Sequence, residues 1–160
     1  MNTAYLLLGG NLGNRKQNLQ KALLLIEKRA GGCTKKSMIY LTKAWGNELQ
    51  PDFYNQAVRI ETSLTPKELL SGLLKIEDAL GRQRNGDKWQ ARTIDIDILF
   101  YNDARIDDPE LKIPHPFIQE RRFVLLPMNE IAENFFHPVL KKNIQQLLNE
   151  CKDPLEVEKL

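Results

Sequence analysis

Thr93-Ile94-Asp95-Ile96-Asp97-Ile98-Leu99-Phe100-Tyr101, entered through Lys88-Trp89-Gln90-Ala91-Arg92, is the stretch on which the reading of this chain turns. From Thr93 it reads as a strand. Ile94, Ile96, Ile98 and Phe100 alternate with Asp95, Asp97 and Leu99, so a period of two sends the even positions into a core and both aspartates to the other face. At ~3.3 Å of rise per residue the two carboxylates stand about 6.6 Å apart along that face, close enough to converge on one or two hard cations. Arg92 stands just upstream, and Arg82, Arg84 and Lys88 crowd the approach, which suits a polyphosphate carrying Mg²⁺. An Asp-x-Asp pair in isolation reads as the polar face of a half-exposed strand; the flanking cations weigh against that here.

Upstream, Thr65-Pro66-Lys67-Glu68 is a capping box with proline at the first helical position. Leu69, Leu73, Ile76 and Leu80 form one face of the helix it starts, and Gly81 stands where the helix should stop. Residues Arg82 to Arg92 then make a cationic loop around Gly86, expected to move. At the start of the chain Ala4–Leu8 is an apolar run of strand type, closed by Gly9-Gly10-Asn11-Leu12-Gly13. That turn lacks the Gly-x-Gly-x-x-Gly pattern of dinucleotide sites. Asn14 with Gln17 opens a helix through Leu19, Ala22, Leu23 and Ile26, which Gly31-Gly32 ends.

Ser37–Thr42 and Phe53–Ser63 read as two further strands, joined by a loop of about ten residues that carries Trp45, Gly46 and Pro51; loops of that length in small domains are often functional. After Asn102-Asp103 a short strand is expected at Ala104–Ile106, and Ile144, Leu147 and Leu148 suggest one more helix. Residues from Asp153 are expected to be loosely held. His137 has no evident partner. The order strand, helix, strand, strand, helix, strand is a split βαβ arrangement, hence an α+β, ferredoxin-like βαββαβ core with an antiparallel sheet, helices on one face and extra C-terminal elements.

With 160 residues, 42% hydrophobic and 28% charged, the chain suits one domain with its own core. A net charge of +2 gives no bulk attraction for nucleic acid, so an anion site must come from local clustering. No apolar run is long enough to span a membrane, and no secretory leader is evident, so a cytoplasmic setting is expected. Cys33 and Cys151 form no metal-binding or disulfide pattern and are expected as free thiols. RNA-recognition modules share this element order, but they read RNA with aromatics where this chain carries Ile-Asp-Ile-Asp, and exposed carboxylates repel phosphate unless metal intervenes. A domain that only senses ATP is a third reading; it leaves the aromatic loop unexplained.

Lys88, Ala91, Arg92, Asp95, Ile96, Asp97, Ile98 and Leu99 together resemble the signature of the 6-hydroxymethyl-7,8-dihydropterin pyrophosphokinases. The glycine turn at 9–13, with Gly10 where that family usually has Ser, and the block Ile113-Pro114-His115-Pro116 with Arg121 and Phe123-Val124-Leu125 extend the resemblance from about residue 4 to about residue 132. It implies transfer of the diphosphate of ATP to a reduced pterin alcohol, with AMP as the other product and two Mg²⁺ held by Asp95 and Asp97. Arg82 and Arg92 would neutralise the transferred group. Glu77, Arg84, Trp89, Arg92, Ile98, His115 and Arg121 would contact ATP, and Thr42, Trp45, Phe53, Asn55 and Phe123 would line the pterin pocket. Lys43 and Ala44 replace the family's usual Pro-Pro, and Phe53 its usual Tyr. The partners so implied are small molecules, with no nucleic acid, no membrane and a monomeric protein.

Overall fold

In the computed structural model, which describes residues 1–43, 50–81 and 93–160, a strand β1 (Asn2–Gly10) lies inside an antiparallel sheet. It is followed by α1 (Arg15–Arg29), the short strands β2 (Gly32–Lys36) and β3 (Tyr40–Thr42), β4 (Phe53–Thr62), α2 (Pro66–Ala79) and β5 (Asp95–Tyr101). Next come β6 (Ile106–Asp107), β7 (Lys112–Ile113), α3 (Arg122–Ala132), α4 (Ile144–Glu150) and β8 (Val157–Lys159). The strand order is β5-β1-β4-β3-β8, with β2 also on β4, and each pairing is antiparallel. That is the expected α+β, ferredoxin-like order, continued by one further edge strand.

The helix starts follow from their caps. Asn14 accepts from the Gln17 amide at 3.0 Å, and Thr65 and Glu68 close the reciprocal capping box that the sequence announces. Gly81 takes φ +88 just past α2, a conformation that costs glycine nothing and side-chain-bearing residues much. A second capping box, Asn143 with Gln146, starts α4, whose face holds Ile144 and Leu147.

Helices cover both faces of the sheet, where the sequence placed them on one. Leu6, Leu8, Val58, Ile60, Ile96 and Ile98 pack with Leu19 and Ile26 of α1 and Leu69, Leu73 and Ile76 of α2. Tyr5, Leu7 and Ala57 point the other way, against Val124, Leu125 and Met128 of α3 and Ile144 and Leu147 of α4. The alternation of β5 holds through Ile98 and then breaks. A register shift opposite Tyr5/Leu6 leaves Leu99 as an extra residue, so Phe100 joins the α3/α4 layer instead of the one holding Ile94, Ile96 and Ile98.

Other boundaries also differ from the sequence reading. Of the expected strand Ser37–Thr42 only Tyr40–Thr42 is strand, since the Met38 amide donates to Glu130 rather than to a neighbouring strand; a separate strand that the sequence reading did not place, β2, opens at Gly32 on the same partner. The strand expected at Ala104–Ile106 lies one step on, as β6 paired with β7. Residues from Asp153 are not loose: Val157–Lys159 add to the sheet on β3. His137 has partners as well, since its Nδ1 accepts from the amides of Val139 and Leu140 and its ring stands edge-on to Phe100.

Candidate active site

Residues at odd positions of β1 and β5 set the floor of the site. Leu7 pairs with Asp97 and Gly9 with Asp95, while on its other side Gly9 pairs with Asn55 of β4. A methyl at position 9 would collide with Asn55 Oδ1, so the absence of a side chain there lets the Asn55 amide lie flat over the strand. Above this floor opens a cavity of about 1040 Å³. Asp95, Asp97, Thr42, Phe53, Asn55, Arg121 and Phe123 all line it, so seven of the residues named from the sequence meet on the α3/α4 face.

The cavity has two ends of different chemistry. Asn55 and Thr42 are buried, and the Asn55 amide nitrogen donates to Thr42 Oγ1 at 3.3 Å, which fixes the amide's orientation beside the rings of Phe53 and Phe123. This end suits a flat heterocycle with donor and acceptor edges. At the other end are the two carboxylates and Arg121, whose guanidinium stands over the rings of Phe117 at 5.0 Å and Phe123 at 5.8 Å. The loop that leads into β4 is anchored from the glycine turn: Asn11 Nδ2 donates to Gln50 Oε1 and to the carbonyl of Pro51, and Arg15 donates to the carbonyl of Asp52 at 2.7 Å while lying over Tyr54.

His115 stands near Arg121, Asp95 and Phe117. Burial beside the Arg121 guanidinium pushes its imidazole down to about 4, against the opposing pull of the Asp95 carboxylate. Its Nδ1 accepts from the Phe117 amide at 3.2 Å, which leaves the neutral ring a donor through Nε2. Glu77 lies in the interior, against β5. It is 3% exposed, and its Oε2 accepts from the Ile96 amide at 2.6 Å, on the outer edge of β5 between the two aspartates. Ile98 puts its side chain in the core, so any nucleotide contact there falls to its backbone. Trp45, Arg82, Arg84, Trp89 and Arg92 lie outside the described residues.

Two carboxylates on one strand face offer hard oxygen ligands, and among the described residues no group of three or more His, Cys, Asp or Glu gathers. That donor set fits Mg²⁺, which takes one or two carboxylates and completes its shell with water and substrate phosphate. The sequence reading missed Asn11, Arg15, Phe117 and Asp153. Asn11 had a local signal, in the glycine turn; Arg15 and Asp153 act through contacts distant in sequence, and Phe117 through His115 and Arg121 beside it.

The sequence matches the family of 7,8-dihydro-6-hydroxymethylpterin-pyrophosphokinases (HPPK) over residues 5–133. The chain belongs to this family. The 2-amino-4-hydroxy-6-hydroxymethyldihydropteridine pyrophosphokinase of Aquifex aeolicus is 42% identical over 146 residues, 91% of this chain and 90% of that protein. That of Bacillus subtilis is 45% identical over 133 residues, 82% of this chain and 79% of that one. Among solved structures, wild-type Plasmodium falciparum HPPK-DHPS with SDX-DHP superposes with a TM-score of 0.73 at 22% identity, over 94% of this chain and 43% of that chain. This last likeness concerns the fold. Pyrophosphokinase activity on hydroxymethyldihydropterin, with ATP as co-substrate in folate biosynthesis, goes with membership of the HPPK family.

Proposed function

We propose that this cavity carries out the transfer with Asp95 and Asp97 as ligands of two Mg²⁺, Thr42, Phe53, Asn55 and Phe123 as the pterin pocket, and His115 and Arg121 on the ATP phosphates. The observation that carries the reading is the opening of a carboxylate pair and an amide-and-aromatic wall into one cavity. Bound at the carboxylates, Mg²⁺ would neutralise the phosphates and polarise the group in transfer. Asn55 and Thr42 hydrogen-bond the heterocycle edge while the two phenylalanines hold its faces, which aims the hydroxymethyl oxygen at the β-phosphorus. The oxygen–phosphorus bond forms, the β-phosphorus separates from the oxygen bridging to the α-phosphate, AMP leaves, and the hydroxyl proton passes to solvent. His115 Nε2–H and the Arg121 guanidinium meet charge on the phosphate oxygens. A loose phosphoryl transition state asks for position and charge more than for covalent help, so this inventory suffices.

Among the described residues no helix is long and apolar enough to cross a membrane. The direct test mixes protein, MgATP and 6-hydroxymethyl-7,8-dihydropterin and identifies the nucleotide released. AMP in step with pterin diphosphate is the expected result; ADP overturns the reading.

A further inference from the structure

Helix α3 begins without a cap of its own: Arg121 stands at its N-cap and makes no side-chain hydrogen bond there. The exposed amide of Arg122 is met from elsewhere in the chain, by Asp153 Oδ2 at 3.0 Å. Asp153 Oδ1 accepts from the Leu155 amide at 3.0 Å, which holds the carboxylate in place. Arg122 returns the contact, with its guanidinium donating to the carbonyl of Asp153 from Nε at 3.3 Å and from Nη2 at 3.2 Å, and from Nη2 to the carbonyl of Cys151 at 3.0 Å. One side chain thus reads the backbone of the other in both directions.

The residues on either side of Arg122 are Arg121 and Phe123, and both line the cavity, as do Lys152, Asp153, Pro154 and Leu155. The same segment runs on into β8, whose Val157 pairs with Thr42 on the opposite wall. Glu130, further along α3, ties that wall down as well, accepting from the Met38 amide at 3.0 Å and the Tyr40 hydroxyl at 2.7 Å. So the segment after α4, which lies beyond the residues matched to the family, joins the helix carrying Phe123 to the strand carrying Thr42.

We infer that Asp153 is a positioning residue of the pterin site: by capping α3 across the chain it sets where Phe123 stands over the heterocycle. The inference rests on the reading of the cavity as the pterin pocket. An electrostatic cap at a helix start is a directional bond whose loss lets the first turn fray, and Phe123 is the second residue of that turn. A substitution at 153 therefore acts on pterin recognition through Phe123 rather than through global stability alone.

The test compares Asp153→Ala, Asp153→Asn, Phe123→Ala and the double variant Asp153→Ala/Phe123→Ala, with Ile26→Val in the opposite core as a control of similar expected stability loss. The readouts are KM for the pterin alcohol at saturating MgATP and the melting temperature. Asp153→Ala is expected to raise the pterin KM about threefold, no more than Phe123→Ala does, and Asp153→Asn, which keeps one acceptor oxygen, distinctly less, while Ile26→Val lowers the melting temperature with KM unchanged from the parent. In the Phe123→Ala background, loss of Asp153 should change KM by less than about twofold, since the two act on one contact. The inference is overturned if Asp153→Ala behaves like Ile26→Val, or if its effect multiplies in full with that of Phe123→Ala. A Phe123→Ala variant with an unchanged pterin KM would instead sink the pocket reading and take the inference with it.

Discussion

A carboxylate beside a polyphosphate is tolerable only through the cation it holds, so the two aspartates of β5 are where small chemical changes should cost most. Asp95→Asn and Asp97→Asn keep size and shape but remove a charge that, on the proposed reading, holds the metal at the transferring group, and each should then lower turnover by about 100-fold or more. Circular dichroism should stay at parent values, and excess Mg²⁺ should restore only part of the loss; near-parent turnover at limiting Mg²⁺ would remove the metal assignment. Phe123→Ala should raise the pterin KM roughly three- to tenfold, the value of a stacked aromatic contact, with smaller change in ATP binding. The histidines also give a stability signal. His115 is lowered to about 4 and His137 is lowered from 6.5, each chiefly by burial, so between pH 6.5 and about 4 the unfolded chain binds protons that the folded chain refuses. Stability is therefore fully present above pH 6.5 and falls as pH drops towards the folded values. Unfolding free energies measured across that window should decline towards acid in the parent and decline less in His115→Gln; an identical slope in both would show that His115 is not the buried neutral ring described.

At the scale of elements, what was legible in the sequence was what depends on neighbours within a few residues. The period-two run of β5, the Asn14 cap of α1 and the capping box of α2 fall in that class, and they gave the split βαβ order and placed Asp95 and Asp97 on one face. The misses were set across the chain. Helix α3 carries Pro127 inside it and takes its cap from Asp153, so neither its start nor its body advertises a helix locally. The Leu99 bulge depends on register with β1, and β8 exists only because β3 offers an open edge. Glu77 shows the same dependence: as an i-to-i+4 helix position it is unremarkable, yet it satisfies an outward amide of the edge strand that bears both aspartates. Glu77→Ala should therefore destabilise the protein by about 1–3 kcal/mol, the cost of a buried donor left unmet, and Glu77→Gln, which keeps an acceptor, by less. Denaturant midpoints check the order; equal losses would mean that the charge of Glu77 matters and its bond to Ile96 does not.

The whole molecule divides its labour between the two faces of one sheet. The α1/α2 layer is an apolar core with Glu77 buried at its edge, whereas α3 contributes both to the second core and, through Arg121 and Phe123, to the cavity. A void opened under α3 should therefore be felt by the substrate, and one opened under α2 should not. Leu73 and Leu125 make the comparison fair, being 1% and 0% exposed and identical in chemistry. Truncating either to alanine should cost about 2–5 kcal/mol, and because both layers share the central strands each variant should still unfold in a single transition. Below that transition Leu73→Ala should keep the parent KM for pterin, while Leu125→Ala, two residues from Phe123, should raise it about threefold or more as the first turns of α3 settle into the space left. Denaturation curves paired with steady-state kinetics at a temperature where both variants are folded separate the two effects. A rise in KM of equal size for Leu73→Ala would show that the sheet transmits core defects to the site from either side, and the division between a supporting face and a working face would fall.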